Sequence, residues 1–530
     1  MNDKRALIPL VEAVKRAYRA GEEDESLTPI IAVGQSGQPM GRLQDGDYVI
    51  FYDIRGEREI ELTESLTDDG FNRFPIKPIK LNFVTMIEYH SGLNVKVAFP
   101  PEGKIDNTLA EVVSRAGMRL LKIAESEKAI HVGFFMNGKR EERFPGEEKI
   151  IIESPPGVTS YAKTPEMSVR KVADTIVAKV KDPVYDLIIA NFANVDVVGH
   201  IEDKGAALSA VRAVDGALGR VIQSCRASRT TLVVTSDHGT VEEWLYENET
   251  INTGHTKNPV PFILADFSHE KPQNLMLKGE GELIDVAPTI LEILGLTIPP
   301  EMTGTSLSVG VRVPVMGKKR VLLLILDGWG LRDNPSGNLI IEAQPENFDY
   351  LWSEFPHTVL KASGEAVGMP SDTVGNSEAG HLHLGAGRRV LLDRVKIDRA
   401  IQDGSFFQNQ AFLWAMEEAS KTGKALHLLG IVSHYSSHGT IRHLQALLEM
   451  ASRRAVKKLF IHSLIGRRGE KPESGAAYVS KVEKVCQRLA LGKVVTVMGR
   501  FWALDREENW DRIETAYRAL VNGEGTHVRI

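Results

Sequence analysis

Val321-Leu322-Leu323-Leu324-Ile325-Leu326-Asp327-Gly328-Trp329-Gly330 joins six consecutive apolar residues to a carboxylate and a glycine-containing turn. A strand with one wet face alternates apolar and polar residues. An unbroken apolar run of this length instead suits a strand covered on both faces, as in a parallel sheet. Comparable runs stand at 185–192 (TyrAspLeuIleIleAlaAsnPhe) and 230–235 (ThrThrLeuValValThr), with shorter ones at LeuLeuLysIleAla (120–124) and HisValGlyPhePhe (131–135). Helical spacing marks 107–118, 168–180, 205–223 and 284–295; in the third, Leu208, Val211, Val214, Leu218 and Ile222 share a face. Such alternation predicts an α/β fold with a mainly parallel sheet and helices on both faces.

Outward from this block the pattern repeats. Before it come a helix at 8–20, with Leu10, Val11, Val14 and Tyr18 at helical spacing, and strand-like runs at 29–33, 48–52 and 81–87. After residue 391 a second α/β series has strands at 426–432, 458–464 and 493–498 and a helix at 440–451. Residues 300–320 read as a linker between two finished pieces.

The bulk properties narrow the class. A chain of 530 residues is long enough for two to four domains. Its 42% hydrophobic and 25% charged residues describe a soluble globular protein. The net charge of −6 gives no reason to expect nucleic acid or an anionic membrane as partner. Two cysteines without motif spacing, Cys225 and Cys486, suggest a reducing compartment. No apolar run approaches the roughly 20 residues of a membrane helix, and the first residues lack the apolar core of a signal peptide. These features predict a cytoplasmic protein.

Chemistry concentrates where predicted strands end. Asp196 and His200 follow the run 185–192, Asp237 and His238 follow 230–235, and Asp327 follows 321–326. Ligand sites in open parallel sheets collect at the C-terminal ends of strands. With His255 in ThrGlyHisThrLys, these segments supply three carboxylates and three imidazoles, enough for two metal ions with mixed oxygen and nitrogen ligation. Ser377, in Val374-Gly375-Asn376-Ser377-Glu378-Ala379-Gly380-His381, is read as an exposed nucleophilic hydroxyl in a glycine-containing turn. A metal pair would activate it and hold phosphoryl oxygens. A Ser-His-Asp triad fits less well, because it would leave several Asp and His residues without a role.

A second set is cationic. Arg55 and Arg58 follow the run 48–52, and His438, Arg467-Arg468, Arg500 and Arg506 lie at or beyond the strand ends of the last series. Guanidinium groups at repeated strand ends suit phosphate and carboxylate.

The segments LeuLeuLeuIleLeuAspGlyTrpGly, ThrSerAspHisGly, AsnValAspValValGlyHis and ValGlyAsnSerGluAlaGlyHis resemble those of the cofactor-independent (2,3-bisphosphoglycerate-independent) phosphoglycerate mutases of the alkaline phosphatase superfamily. The resemblance covers nearly the whole chain, in swapped order. The segment at 321 resembles that family's N-terminus, and GluMetThrGlyThrSerLeu (301–307) its C-terminal end. A circular permutation is therefore expected, with 308–319 bridging the former termini. It would give a contiguous phosphatase-like metal domain at 103–391 and a transferase-like substrate-binding domain from 1–102 plus 392–530.

The resemblance implies that Asp196, His200 and His255 hold one metal ion, and Asp327, Ser377, Asp237 and His238 the other. The expected metal is manganese, with zinc or cobalt as alternatives, and no 2,3-bisphosphoglycerate is required. Ser377 is the implied nucleophile, carrying a phosphoryl group between the hydroxyls of a small phosphorylated acid. Lys128, Arg55, Arg58, His438, Arg500 and Arg506 are implied in gripping that substrate, and an ungapped alignment adds Arg468. The implied reaction interconverts 3- and 2-phosphoglycerate, by a monomer. One departure stands out: the family's AspGlyArgAsp segment is replaced by Gly466-Arg467-Arg468-Gly469, which removes a catalytic carboxylate near Gly469. That departure motivates an alternative, a divergent mutase or phosphatase acting on another small phosphorylated or phosphonate acid.

Overall fold

The computed structural model describes residues 9–101, 103–155, 160–246, 249–267, 276–309, 319–434, 436, 438–466 and 473–530. The chain divides into two units, one formed by the described residues up to Pro101 together with Asp393–Ile530, the other by those up to Leu392.

In the second unit the strand Val321–Leu326 lies inside an eight-stranded sheet, between Leu187–Phe192 and Thr231–Thr235 and parallel to both. Leu120–Glu125 and Glu147–Ile152 extend it in parallel on one side. On the other, Val260–Ala265 runs antiparallel, followed by His357–Lys361 and Glu280–Glu282. The unbroken apolar run has the expected cause. Leu322, Leu324 and Leu326 enter the core on one face, while Val321, Leu323 and Ile325 enter the core on the other. Truncating one such leucine to alanine removes roughly 2–5 kcal/mol. The helix Lys204–Ala227, capped by the Asp203 side chain on Ala206 N, covers the first face with Val211, Val214, Leu218 and Ile222.

The first unit repeats the principle. Its eight strands run in the order Thr526–Arg529, Ile30–Val33, Lys493–Gly499, Leu459–Ile465, Leu426–Ile431, Tyr48–Phe51, Asn82–Ile87 and Lys96–Phe99. Ile30–Val33 is antiparallel to Lys493–Gly499, and the remaining pairings are parallel. Both units are thus α/β with mainly parallel sheets.

Three local expectations need correction. HisValGlyPhePhe is a wide helical turn, His131–Phe135, and not a strand. Gly133 and the close packing of this turn against the helix Ser377–Ala386 override the apolar pattern. The segment around Ser377 is not a loop, because Ser377 opens that ten-residue helix. Within the supposed linker, Ser308–Val309 pairs antiparallel with Met276–Leu277; residues 310–318 of the expected bridge lie outside the described residues.

Candidate metal centre and nucleophile

Sheet order creates the site. Leu326 pairs with Phe192, and Ile325 with Thr235, so three strands end at one level. Asp327 comes directly off the central strand. Asp237 and His238 come off one neighbour, and Asp196 off the short helix Asn194–Gly199 that follows the other. The crossing is tight. Gly328 has φ +80°, and a Cβ there would lie 2.8 Å from Asp196 N and Cα. Gly380, one turn into the Ser377 helix, leaves no space for a methyl group, whose carbon would stand 2.6 Å from Asp237 O.

Two groups of ligand-type atoms result, each within 4.8 Å: Asp196, His238 and His255, and Asp237, His238 and Asp327. His200 joins the first, with Nε2 at 3.2 Å from both Asp196 Oδ1 and His255 Nε2. The imidazoles are oriented from behind. Nδ1 of His200 donates to Thr253 O at 2.7 Å, Nδ1 of His255 to Gly375 O at 2.8 Å, and Nδ1 of His238 to Gly239 O at 3.2 Å. A committed Nδ1–H turns Nε2 inward as the free ring nitrogen, the arrangement seen in metal-ligating histidines. Asp237 Oδ2 is buried, with His381 Nδ1 at 3.2 Å and His238 Nε2 at 3.5 Å as its nearest nitrogens. Inward imidazole nitrogens converging with carboxylate oxygens form a mixed donor set, and these residues fit divalent metal ions.

The expectation of an exposed serine is corrected: Ser377 is only 7% exposed. Asn376 caps its helix by accepting from Ala379 N at 2.8 Å, so the serine sits among the first, unpaired N–H groups. Its Oγ lies 2.9 Å from His238 Nε2 and accepts from Lys128 Nζ at 2.7 Å. Lys128, implied as a substrate contact, also donates to Asp196 and Asp327 at 2.6 Å each and is almost wholly buried. Burial works against its charge, but Asp327 and Asp196 outweigh that and raise its pKa above the ordinary lysine value. Burial likewise opposes ionisation of Asp237 and Asp196. His238 first, and for Asp196 the Lys128 ammonium, reverse this and hold both low. Asp327 goes the other way, raised by burial and by Asp237. Hydrogen bonding to Asp196 raises His200, and at His255 it overcomes burial.

Two residues in this layer escaped the sequence reading. Asn191 Nδ2 donates to Asp327 Oδ2 at 2.7 Å and lies 3.0 Å from His381 Nε2. His381, four residues after Ser377, places Nδ1 3.2 Å from Asp237 Oδ2. Their signals were present: an amide inside an apolar strand, and a histidine one helical turn beyond the serine.

In the first unit the arginines gather on acidic partners. Arg55 and Arg506 both reach Glu57 Oε1 at 2.8 Å, Arg500 reaches Glu25 at 2.7 Å, and Arg58 donates to Leu504 O at 3.1 Å. Burial, then Arg506, Arg55 and Arg500, lower the Arg58 pKa, as expected where guanidinium groups crowd together. His438, implied as a substrate contact, is fully buried and bonded to Glu59 at 2.6 Å. Arg468 and its neighbours Arg467 and Gly469 lie outside the described residues.

Comparison with known proteins bears on this arrangement. Residues 16–298 match the model of the metalloenzyme superfamily, and residues 397–529 match that of the N-terminus of BPG-independent phosphoglycerate mutases. Among curated proteins, a 2,3-bisphosphoglycerate-independent phosphoglycerate mutase of Thermomicrobium roseum is 45% identical over 57% of this chain and 58% of its own length. Those of Desulforudis audaxviator and Methanosarcina acetivorans are 43% and 40% identical, each over 56% of this chain and 57% and 56% of their own lengths. The matches thus span a little over half the length of these relatives. Family and donor set agree on divalent metal dependence. Because the superfamily match alone takes in more than half of its residues, the chain belongs to the metalloenzyme superfamily, and within it is similar to the 2,3-bisphosphoglycerate-independent phosphoglycerate mutases.

Proposed function

We propose that the protein interconverts 3-phosphoglycerate and 2-phosphoglycerate through a phosphoserine at Ser377. The observation that carries this reading is a buried serine hydroxyl at a helix N-terminus, held between His238 and Lys128 and bordered by two metal-ligand groups. In the first half-reaction Ser377 Oγ forms a bond to phosphorus while the substrate's O–P bond breaks, and the Oγ proton ends on the released glycerate hydroxyl. The second half-reaction reverses this on the other hydroxyl. Without an ion His238 Nε2 accepts the hydrogen bond of Oγ and fixes its position; with an ion bound, the same nitrogen would be a ligand instead. The Lys128 ammonium balances negative charge beside it, and the helix N-terminus favours the phosphoserine dianion.

In this reading Asp196, His200 and His255 hold one divalent ion, and Asp237, His238, Asp327 and Ser377 the other. Manganese is the assigned metal, with zinc or cobalt as substitutes. When bound, the ions lower the pKa of the serine hydroxyl and neutralise phosphoryl oxygens. Arg55, Arg58, Arg500 and Arg506, with Arg468, grip the phosphate and carboxylate of the acid. Glu57, bonded to Arg55 and Arg506, and Glu25, bonded to Arg500, hold these three guanidinium groups until the anion displaces them. The reading takes the protein as a cytoplasmic monomer that needs no 2,3-bisphosphoglycerate and binds neither nucleic acid nor membrane. Among the described residues, no helix is long and apolar enough to cross a bilayer. The order of the two family matches, with the N-terminal mutase model at 397–529, supports a permuted chain. The alternative of a divergent phosphatase finds no support in the names of the relatives.

The test supplies manganese-loaded protein with 3-phosphoglycerate and follows 2-phosphoglycerate and inorganic phosphate together. Sustained formation of 2-phosphoglycerate, lost in Ser377→Ala, is expected. Phosphate alone would overturn the mutase reading.

A further inference from the structure

Asp53, Glu59 and His438, in the first unit, bring one ligand-type atom each to within 4.8 Å of one another, and all three side chains are fully buried. Asp53 follows the strand Tyr48–Phe51, and His438 lies beyond the adjacent parallel strand Leu426–Ile431. Glu59 precedes the helix Ile60–Thr67. Two bonds fix the group: Ile431 N donates to Asp53 Oδ1 at 2.7 Å, and His438 Nδ1 donates to Glu59 Oε1 at 2.6 Å. Beyond these, Asp53 Oδ2, Glu59 Oε2 and His438 Nε2 are each buried with no hydrogen-bond partner.

Protons alone do not settle this cluster. A proton on Asp53 Oδ2 neutralises one carboxylate but leaves the Glu59 charge and the His438 Nε2 lone pair buried, and a proton on His438 Nε2 creates a buried N–H without an acceptor. Leaving both carboxylates charged sets two negative charges against at most one imidazolium, away from water. Each option carries the penalty of an unpaired polar or charged group. The geometry thus sets two carboxylates against one imidazole, with a shortage of positive charge. A divalent cation removes that shortage, because two carboxylates neutralise it and oxygen lone pairs with an imidazole nitrogen ligate it. Such a donor set suits manganese, zinc or ferrous iron.

We propose that Asp53, Glu59 and His438 form a structural divalent-cation site, separate from the strand-end ligands that surround Ser377. Arg55 and Arg58 lie between two of these ligands in sequence, so the ion would act as the hub of the segment that presents both guanidinium groups.

The test grows crystals of the full chain expressed in manganese- or zinc-supplemented medium and records anomalous diffraction. A peak between the three side chains is expected; its absence at full occupancy of the strand-end ligands overturns the proposal. In solution, Glu59→Gln and Asp53→Asn should each bind one metal ion fewer per chain than the unaltered protein, with an unchanged far-ultraviolet spectrum. An equal metal count, or a higher thermal midpoint in Glu59→Gln at equal metal count, would show that protons relieve the cluster and would overturn the assignment. Should either variant fail to fold, the diffraction experiment on the unaltered chain decides.

Discussion

The surroundings of Ser377 and the arginine group of the first unit solve opposite problems. Around Ser377 most polar atoms, those of the exposed His200 excepted, are buried, and they are oriented from behind: three imidazoles by backbone carbonyls, Asp327 by Asn191, and the serine by Lys128 and His238. The arginines are partly exposed: Arg55 and Arg506 are held by Glu57, Arg500 by Glu25 and Arg58 by Leu504 O, contacts that an anion would displace in the proposed function. The first region is fixed before any ligand arrives, and the second is set by exchange of partners. Rate is therefore expected to depend on the first, and apparent affinity on the second.

The largest effect expected is that of Ser377→Ala, which should lower turnover by ~10⁴-fold or more, as removal of a nucleophile does elsewhere. Metal binding through Asp196 and His255 should survive, as measured by metal content. Residual exchange of label between phosphoglycerates in that variant would break the contrast between the regions.

Removing the carboxylate of Asp327 should come next. Asp327→Ala is expected to lose one metal ion per chain and on the order of 10³-fold in rate, the scale seen when a preorganised electrostatic group is lost. Elemental analysis beside turnover checks both halves. Loss of rate at full metal content would reassign Asp327 to positioning Lys128.

Arg58→Ala should act on the other side of the comparison. It is expected to raise KM for the phosphorylated acid by ~10–100-fold, the worth of one charge-assisted hydrogen bond, with a smaller change in kcat. A fall in kcat with KM unchanged would place Arg58 in the chemistry rather than in the grip.

The smallest effect concerns the nucleophile's helix. His383 is buried and neutral, with Nδ1 donating to Ala379 O and Nε2 accepting from Val390 N at 3.0 Å. Burial pushes its pKa down to about 4, from 6.5. In that interval the unfolded chain binds more protons, so the contribution to stability is complete above pH 6.5 and is lost as pH falls toward 4, by about 3 kcal/mol at most. Thermal midpoints between pH 7.5 and 4.5 should therefore fall less in His383→Gln than in the unaltered protein, and equal slopes would refute the assignment.

The two regions also differed in how far the sequence exposed them. Leu322 through Leu326 announced a strand buried on both faces, and Asp327, Asp237 and Asp196 could be located because each follows such a run closely. The partners of Ser377 were not legible by spacing, because Lys128 meets it through a tertiary crossing of 249 residues. HisValGlyPhePhe misled because a short, largely apolar run suits a buried strand and a buried helical turn equally well. Among the cationic residues, identity was legible but orientation was not. Nothing in the pattern around His438 foretold that the ring would turn inward to Glu59.

The position of Val321–Leu326 between two neighbours that precede it in the chain has a consequence for biosynthesis. Leu187–Phe192 and Thr231–Thr235 leave the ribosome first and can recruit their helices, but they cannot complete the sheet until the strand between them arrives roughly ninety residues later. Asp327 arrives with it, and Ser377 later still. A nascent or truncated chain thus displays Asp196, Asp237 and their histidines without Ser377, so the proposed phosphoryl chemistry would become available only once the central slot of the sheet has been filled.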